Sequence, residues 1–316
     1  MKMMLSLCWL FIAIVHKVEP LLSDNFSNCK DPFYKGQLPQ GFNHIALPHH
    51  FNASDLPDGI KENELTSPAY ICQQYGNNVH FASLYDRGRR IPLYSAYILD
   101  KRSTSKSANN RPGFFNVEPQ LVYRGVEGTM LRELDTVKKI SKYNKEHGIS
   151  EKKVKNRSSY LISTSQAIDD DYKGSGYERG HVNPNGHHAG DKEQHATFTL
   201  TNVVPMTTKL NTDIWNKYEI KMIGYADGCT TMYVVTGIVP GNNWIKRMNT
   251  DSVNIPSYVW NAYCCVDNNG KPIKSGAGLR ENDNLNTTVN EIGITDLQVQ
   301  LKNSLGNIEI FQNNCA

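Results

Sequence analysis

The six cysteines that follow residue 20 constrain this chain more than any other feature: Cys29, Cys72, Cys229, Cys264, Cys265 and Cys315. An even set in a chain that meets an oxidising compartment predicts three disulfides. Many pairings satisfy that count, and the sequence chooses none of them. Neighbours Cys264 and Cys265 point to opposite faces if they lie in a strand, so they are expected to bond different partners. Zinc binding is the rival use of these thiols, but the chain has no C-x-x-C pair.

The N-terminus supplies the compartment. Met1-Lys2-Met3-Met4 leads into an apolar run, Leu5 to Val15. That is the layout of a secretory signal, expected over residues 1–20 with cleavage between His16 and Ser23. A retained signal anchor is the alternative. Sequons at Asn25, Asn52, Asn156 and Asn286 fit a glycosylated, extracellular chain. No long apolar stretch follows the leader and the mean hydropathy is −0.51, so no membrane span is expected. Thirty-four basic residues against 31 acidic ones leave a net charge of +3. Binding of nucleic acid would therefore need a local patch rather than an overall field.

The patterning predicts one α+β body. Residues 21–70 read as an irregular N-terminal arm tied down through Cys29 and Cys72, and 71–316 as the domain. Strands are expected at His80–Tyr85, Ile91–Ile98, Thr231–Val239 and Tyr258–Val266, where β-branched and aromatic residues concentrate. Leu131, Leu134, Val137 and Ile140 recur at helical spacing, predicting a helix over 130–147. Lys101–Pro112 reads as a basic loop and Glu151–Ser159 as a charged segment. Asn268-Asn269-Gly270 reads as a turn, and Gly276 with Gly278 as loop. Thr295 and Gln298 resemble a capping box opening a helix that buries Leu297, Leu301 and Leu305 and stops at Gly306. Ile308–Phe311 is expected to add a last strand.

Residues 177–223 carry the chemistry. Tyr177-Glu178-Arg179-Gly180-His181-Val182-Asn183-Pro184 precedes an expected strand, Thr197–Val204. A helix is expected from Thr207 to Ile223, with Leu210, Ile214, Tyr218 and Met222 as its core stripe. Asn211, Trp215 and Glu219 run beside that stripe. Asn211 and Glu219 are about 12 Å apart along a helix axis, too far to grip one ion together. Asn211 touching a metal while Glu219 holds one of its waters is the economical arrangement. One neutral protein ligand suits Mg²⁺, which keeps most of its waters, and does not suit zinc. His181 as a neutral imidazole could take a proton from water attacking phosphorus, with Arg179 steadying the phosphoryl oxygens.

These motifs, Glu-Arg-Gly-His, Thr-Leu-Thr-Asn-Val-Val-Pro and Leu-Asn-x-x-x-Trp-x-x-x-Glu, resemble the DNA/RNA non-specific endonuclease family. Within it, Ile71-Cys72-Gln73-Gln74-Tyr75, Phe81–Asp86, Arg90–Tyr97 and the Cys264-Cys265 pair resemble the vertebrate endonuclease domain-containing 1 branch over about 29–316. The resemblance implies a ββα-metal (His-Me finger) fold with a central antiparallel sheet flanked by helices. It implies Mg²⁺, with Mn²⁺ as substitute, and 5′-phosphate and 3′-hydroxyl products from DNA or RNA. By position, His181 matches the general base, Asn211 the Mg²⁺ ligand and Glu219 the acidic residue behind a metal water. Asn202 matches a residue shaping the site and Arg179 the motif arginine. Glu178 stands where the family more often has Asp, and Met206 where many members carry Gln.

Blander roles compete at several positions. Trp215 reads as packing, and His49, His50, His187, His188 and His195 as loop histidines rather than a metal cluster. Arg90, with Arg87, Arg89, Lys101 and Arg102, is a candidate phosphate rim that could equally be a solvated face. A nuclease-like fold that has lost catalysis and serves as a binding or immune-interaction module is the alternative function. A hydrolase of small phosphodiesters is a second.

Overall fold

Thr231–Val239 and Tyr258–Val266 have no polar face, so strands of this composition must be covered on both sides. The computed structural model describes residues 22–23, 25–48, 66–102, 111–149, 157–312 and 315. It places these two strands, β7 and β10, side by side in the middle of an eight-stranded antiparallel sheet. In chain order the strands are β1 (Leu22–Ser23), β2 (Ala69–Tyr75), β3 (Asn78–Asp86), β4 (Ile91–Ile98), β5 (Glu178–His181) and β6 (Val203–Met206). β7 (Thr231–Val239), β8 (Asn243–Arg247), β9 (Thr250–Ile255), β10 (Tyr258–Val266), β11 (Pro272–Glu281) and β12 (Asn290–Ile292) follow. The sheet order is β1-β2-β3-β4-β7-β10-β11-β12, while β5–β6 and β8–β9 form separate two-stranded ribbons. The helices are α1 (Glu133–Glu146), α2 (Arg157–Ser165), α3 (Asp169–Tyr172), α4 (Asp191–Ala196), α5 (Trp215–Tyr225) and α6 (Ile294–Leu305).

One face of the sheet carries the β5–β6 ribbon and α5. Ser95 of β4 reaches Asn202 beside that ribbon, and Tyr218 of α5 donates to Asn261 of β10. The other face is covered by the N-terminal arm and α6, with Phe42 against Tyr94 and stacked on Trp260. Cross-links then fix both layers: Cys29–Cys72, Cys229–Cys265 and Cys264–Cys315. The adjacent cysteines do bond different partners, as alternation along β10 requires.

Several expectations are corrected by the fold. Helix α1 forms, but Leu134 is 75% exposed and the face turned inward is Thr136, Ile140 and Asn144. Thr197–Val204 is not a strand: a 3₁₀ turn, Leu200–Asn202, precedes β6. The Thr199 and Thr201 hydroxyls bond Glu118, and the Asn202 amide captures neighbouring backbone, which displaces a strand ladder. Gly276 and Gly278 are inside β11, where a Cβ would meet the rings of Tyr263 and Tyr218. Gly293, not a Thr295 side chain, caps α6, and Gln298 instead accepts the Ile310 N–H. Ile308–Phe311 makes a single bridge, Glu309 to Gln40. The end of the charged segment opens α2, while residues 1–20, Asn52 and Asn156 lie outside the described residues.

Candidate active site

Side chains alternate along four-residue β5, so the half-buried Arg179 and His181 share one face while buried Gly180 turns inward onto Met206. That face forms one wall of a groove of about 600 Å³, with Asn211 and Glu219 opposite and Arg111 and Phe115 at its side. The opposite wall begins with a π-helical turn, Leu210–Ile214, which runs straight into α5. Such single-turn widenings cluster at functional sites because they rotate the residues that follow. The predicted stripe of Leu210, Ile214, Tyr218 and Met222 is buried throughout, as is Trp215. Asn211 is left on the groove side with no side-chain hydrogen bond to another described residue.

His181 is clamped between aromatic rings, Phe198 at 5.0 Å edge-on and Phe115 at 5.5 Å. Its Nε2 is buried and has no hydrogen-bond partner among the described residues. Burial, then the charges of Arg111 and Arg179, pushes the imidazole down to about 3, so the ring is neutral. A neutral ring that keeps its proton on the buried Nε2 presents the Nδ1 lone pair to the groove. Burial likewise pushes the Glu219 carboxyl up to about 8, offset in part by Arg111 and by a hydrogen bond from Trp215. The donor set of one amide oxygen and one carboxyl lining the same groove, with no cationic partner at ion-pair distance among the described residues, fits a hard, water-keeping divalent cation. It does not fit zinc: among the described residues no three His, Cys, Asp or Glu side chains converge.

Asn202 lies beneath the groove rather than in it. Its Oδ1 accepts from Ser95 Oγ (3.1 Å) and the Asn183 N–H (3.0 Å), and its Nδ2 donates to the Asn183 and Thr197 carbonyls (2.9 and 3.0 Å). Every polar capacity is used inside the protein, so it positions the loop after His181 and touches no substrate. The histidines beyond that loop are also positional. His187 bonds Tyr97 Oη at Nδ1 and the Glu219 carbonyl at Nε2, both at 2.9 Å, which ties α5 to the central sheet. His188 Nε2 bonds Asn183 Oδ1 at 2.8 Å.

The arginine rim does not form. Arg87 is buried and donates to the Leu121 carbonyl, and Arg89 pairs with Asp86. Arg90 turns away from the groove to Ser252 (3.0 Å), Lys101 donates to the Cys229 carbonyl, and Arg102 pairs with Asp100. A turn sequence places these cations where its own tight backbone and the buried Asp86 require them. The groove's cations are Arg179 and Arg111, and the sequence pattern had no signal for Arg111, a lone loop residue. Phe115 and Phe198 were missed for the same reason. A second cavity of about 520 Å³ lies near Cys29, His80 and Thr230. Its lysine and arginine are the two just described as partnered, whereas the groove holds the unpartnered Asn211 amide and His181 Nε2.

Comparison with known proteins agrees with this geometry. A family model for DNA/RNA non-specific endonuclease matches residues 136–312. The chain is 28% identical over 297 residues to endonuclease domain-containing 1 protein of Homo sapiens, which covers 92% of this chain and 48% of that protein. It thus spans about half the length of that relative. Mitochondrial endonuclease G of Homo sapiens is 36% identical over 94 residues, 29% of this chain and 30% of that one. Among solved structures, the EndoG/EndoGI complex superposes with a TM-score of 0.50 at 18% identity, over 75% of this chain and 84% of that one. With its ββα-metal nuclease architecture, the chain belongs to the DNA/RNA non-specific endonuclease family.

Proposed function

We propose that this chain is a secreted, Mg²⁺-dependent endonuclease that hydrolyses phosphodiester bonds of DNA, with RNA as a second substrate and little sequence preference. The observation that carries the reading is the setting of His181: a neutral imidazole with no hydrogen-bonded partner, facing Asn211 and Glu219 across a groove with two arginines. His181 accepts the proton of the attacking water. Its resting basicity is held down partly by Arg111 and Arg179, so an entering phosphate, by neutralising them, makes the ring a stronger base when one is needed. The two guanidiniums steady charge on the phosphoryl oxygens. Asn211 would hold Mg²⁺ directly and Glu219 through one of its waters; when bound, the ion polarises the phosphoryl group. Contacts of this kind read backbone rather than base, which accounts for low specificity.

Export is supported by the leader-like residues 1–20, the three disulfides, and exposed Asn25 and Asn286 as glycan acceptors. Among the described residues no helix is long and apolar enough to cross a membrane. Residues 21–70 serve as an arm on the nuclease domain, 71–316. Protein from a eukaryotic secretory host should cut supercoiled plasmid and single-stranded RNA in Mg²⁺ and in Mn²⁺, and stop in EDTA. Folded protein that leaves both intact in Mg²⁺ would shift the reading to a non-catalytic binding module, and cleavage of a chromogenic diester alone to a small-phosphodiester hydrolase.

A further inference from the structure

Arg179 is not waiting empty-handed. Its guanidinium lies over the Phe115 ring, 4.7 Å from the centroid, and its Nη1 donates to Asp169 Oδ1 at 2.5 Å. We propose that Asp169 is an internal stand-in for a substrate phosphate: it occupies Arg179 until a backbone phosphate displaces it, and so biases the groove toward polymeric nucleic acid. The proposal rests on the nuclease reading above.

A carboxylate and a phosphate offer the planar guanidinium fork the same thing, paired anionic oxygens at matching spacing. The backbone under Asp169 is firmly placed. It opens α3, and two residues on, buried Asp171 accepts the Ile168 N–H at 2.8 Å and the Ser252 hydroxyl, with Arg247 Nε at 3.7 Å. The side chains of the pair are open, Arg179 38% and Asp169 45% exposed, so Asp169 can swing aside without disturbing the core. The surroundings reinforce the anionic character. The Glu133 carboxyl is pushed up by burial and then by Asp170, Asp169 and Asp171, against the pull of Arg247, so Asp169 belongs to an acidic cluster beside Arg179.

The consequence is selective. Exchanging one anion for another at Arg179 gains little, so a lone phosphate or small diester is weakly held. A chain whose neighbouring phosphates also reach Arg111 gains a second contact that Asp169 cannot supply. Asp169 thereby separates polymer from small phosphate without reading a single base.

The test uses the whole chain carrying His181→Ala to prevent cutting, with a labelled 20-base-pair duplex and fluorescence anisotropy over a salt series. Asp169→Asn should tighten Kd about three- to fivefold, the scale of one exposed ion pair relieved. It should also steepen the slope of log Kd against log salt by about one unit. Inorganic pyrophosphate should compete better against the duplex in Asp169→Asn than in its parent. In Arg179→Ala the Asp169→Asn gain should vanish, and Asp169→Glu, which keeps the carboxylate, should bind like the parent. With His181 intact, Asp169→Asn should lower KM and leave kcat within about twofold. Unchanged or weaker binding by Asp169→Asn, or a gain that persists without Arg179, overturns the stand-in while leaving the nuclease reading in place. If no variant binds duplex at all, both fall together.

Discussion

His181 and His187 are six residues apart, His187 is buried and His181 half-buried with its Nε2 enclosed, and both imidazoles are pushed far down, to about 3 and about 4. They nevertheless do opposite things. Both His187 nitrogens are engaged, one with Tyr97 and one with the Glu219 carbonyl, so the ring is a bracket between sheet and helix. No described residue bonds the His181 Nε2, and its ring lines the groove. Burial alone therefore does not mark the reactive histidine; unmet hydrogen-bonding capacity does. Two carboxyls, Glu118 buried and Glu219 half-buried, repeat the contrast. Glu118 is pushed up to about 7 yet accepts from Gln73, Thr199 and Thr201, whereas among the described residues Glu219 has only Trp215 and lines the groove.

The largest effect that could break this comparison is catalytic. His181→Ala should reduce Mg²⁺-dependent plasmid cutting by roughly 10²–10⁴-fold, the usual worth of a positioned base. Its melting temperature should fall less than that of His187→Ala. The bracket histidine should show the reverse: His187→Ala strands the Tyr97 hydroxyl and the Glu219 carbonyl and should cost on the order of 3 kcal/mol. That corresponds to about 5 °C in Tm for a chain of this size. Cutting by His187→Ala, assayed well below its melting point, should survive better than cutting by His181→Ala. Equal melting losses in the two variants would erase the distinction.

The sequence made half of this contrast readable. Helical spacing placed Asn211 and Glu219 on one helix beside the His181 segment, and the concentration of β-branched and aromatic residues placed β7 and β10 at their true residues. What it could not show was which polar groups are already partnered. Asn202 and His181 look alike as polar residues in one ordered block, and only tertiary contacts from Ser95, Asn183 and Thr197 separate them. Arg90 and Arg111 differ in the same way. The β11 glycines misread as loop because the rings that require them, Tyr218 and Tyr263, are distant in sequence.

The carboxyl contrast is sharpened by pH. Glu118 has a folded pKa near 7 against an ordinary value of 4.5. Between those values the folded chain holds a proton that the unfolded chain has released, so stability declines as pH rises through the window. Above about pH 7 the full penalty is present. Glu118→Gln mimics the protonated form and removes it. The variant should match wild type near pH 4.5 and exceed it by about 1–3 kcal/mol at pH 8, read from denaturant melts across that range. Histidines 187 and 188 pull the other way in both proteins, because their depressed values erode stability as pH falls below 6.5. They cancel when the two curves are subtracted. A difference that does not grow with pH would mean that Glu118 is ionised in the fold.

The smallest effect separates two arginines that sequence could not rank. Arg111 lines the groove and its charge reaches both His181 and Glu219, while Arg90 is spent on Ser252. In the His181→Ala background, Arg111→Ala should weaken duplex binding severalfold and flatten the salt slope by about one unit, the signature of one lost phosphate contact. Arg90→Ala should leave both readings unchanged and cost about 1 kcal/mol of stability instead, since it removes one hydrogen bond to the buried Ser252 hydroxyl, which keeps its own bond to Asp171. The exchange tests the general point at modest amplitude. A cation with an internal neutral partner is structure, and one facing an unpaired histidine and carboxyl is function. If Arg90→Ala also flattened the salt slope, the nucleic acid would have to pass over the β3–β4 turn as well, and the groove would be only part of its path.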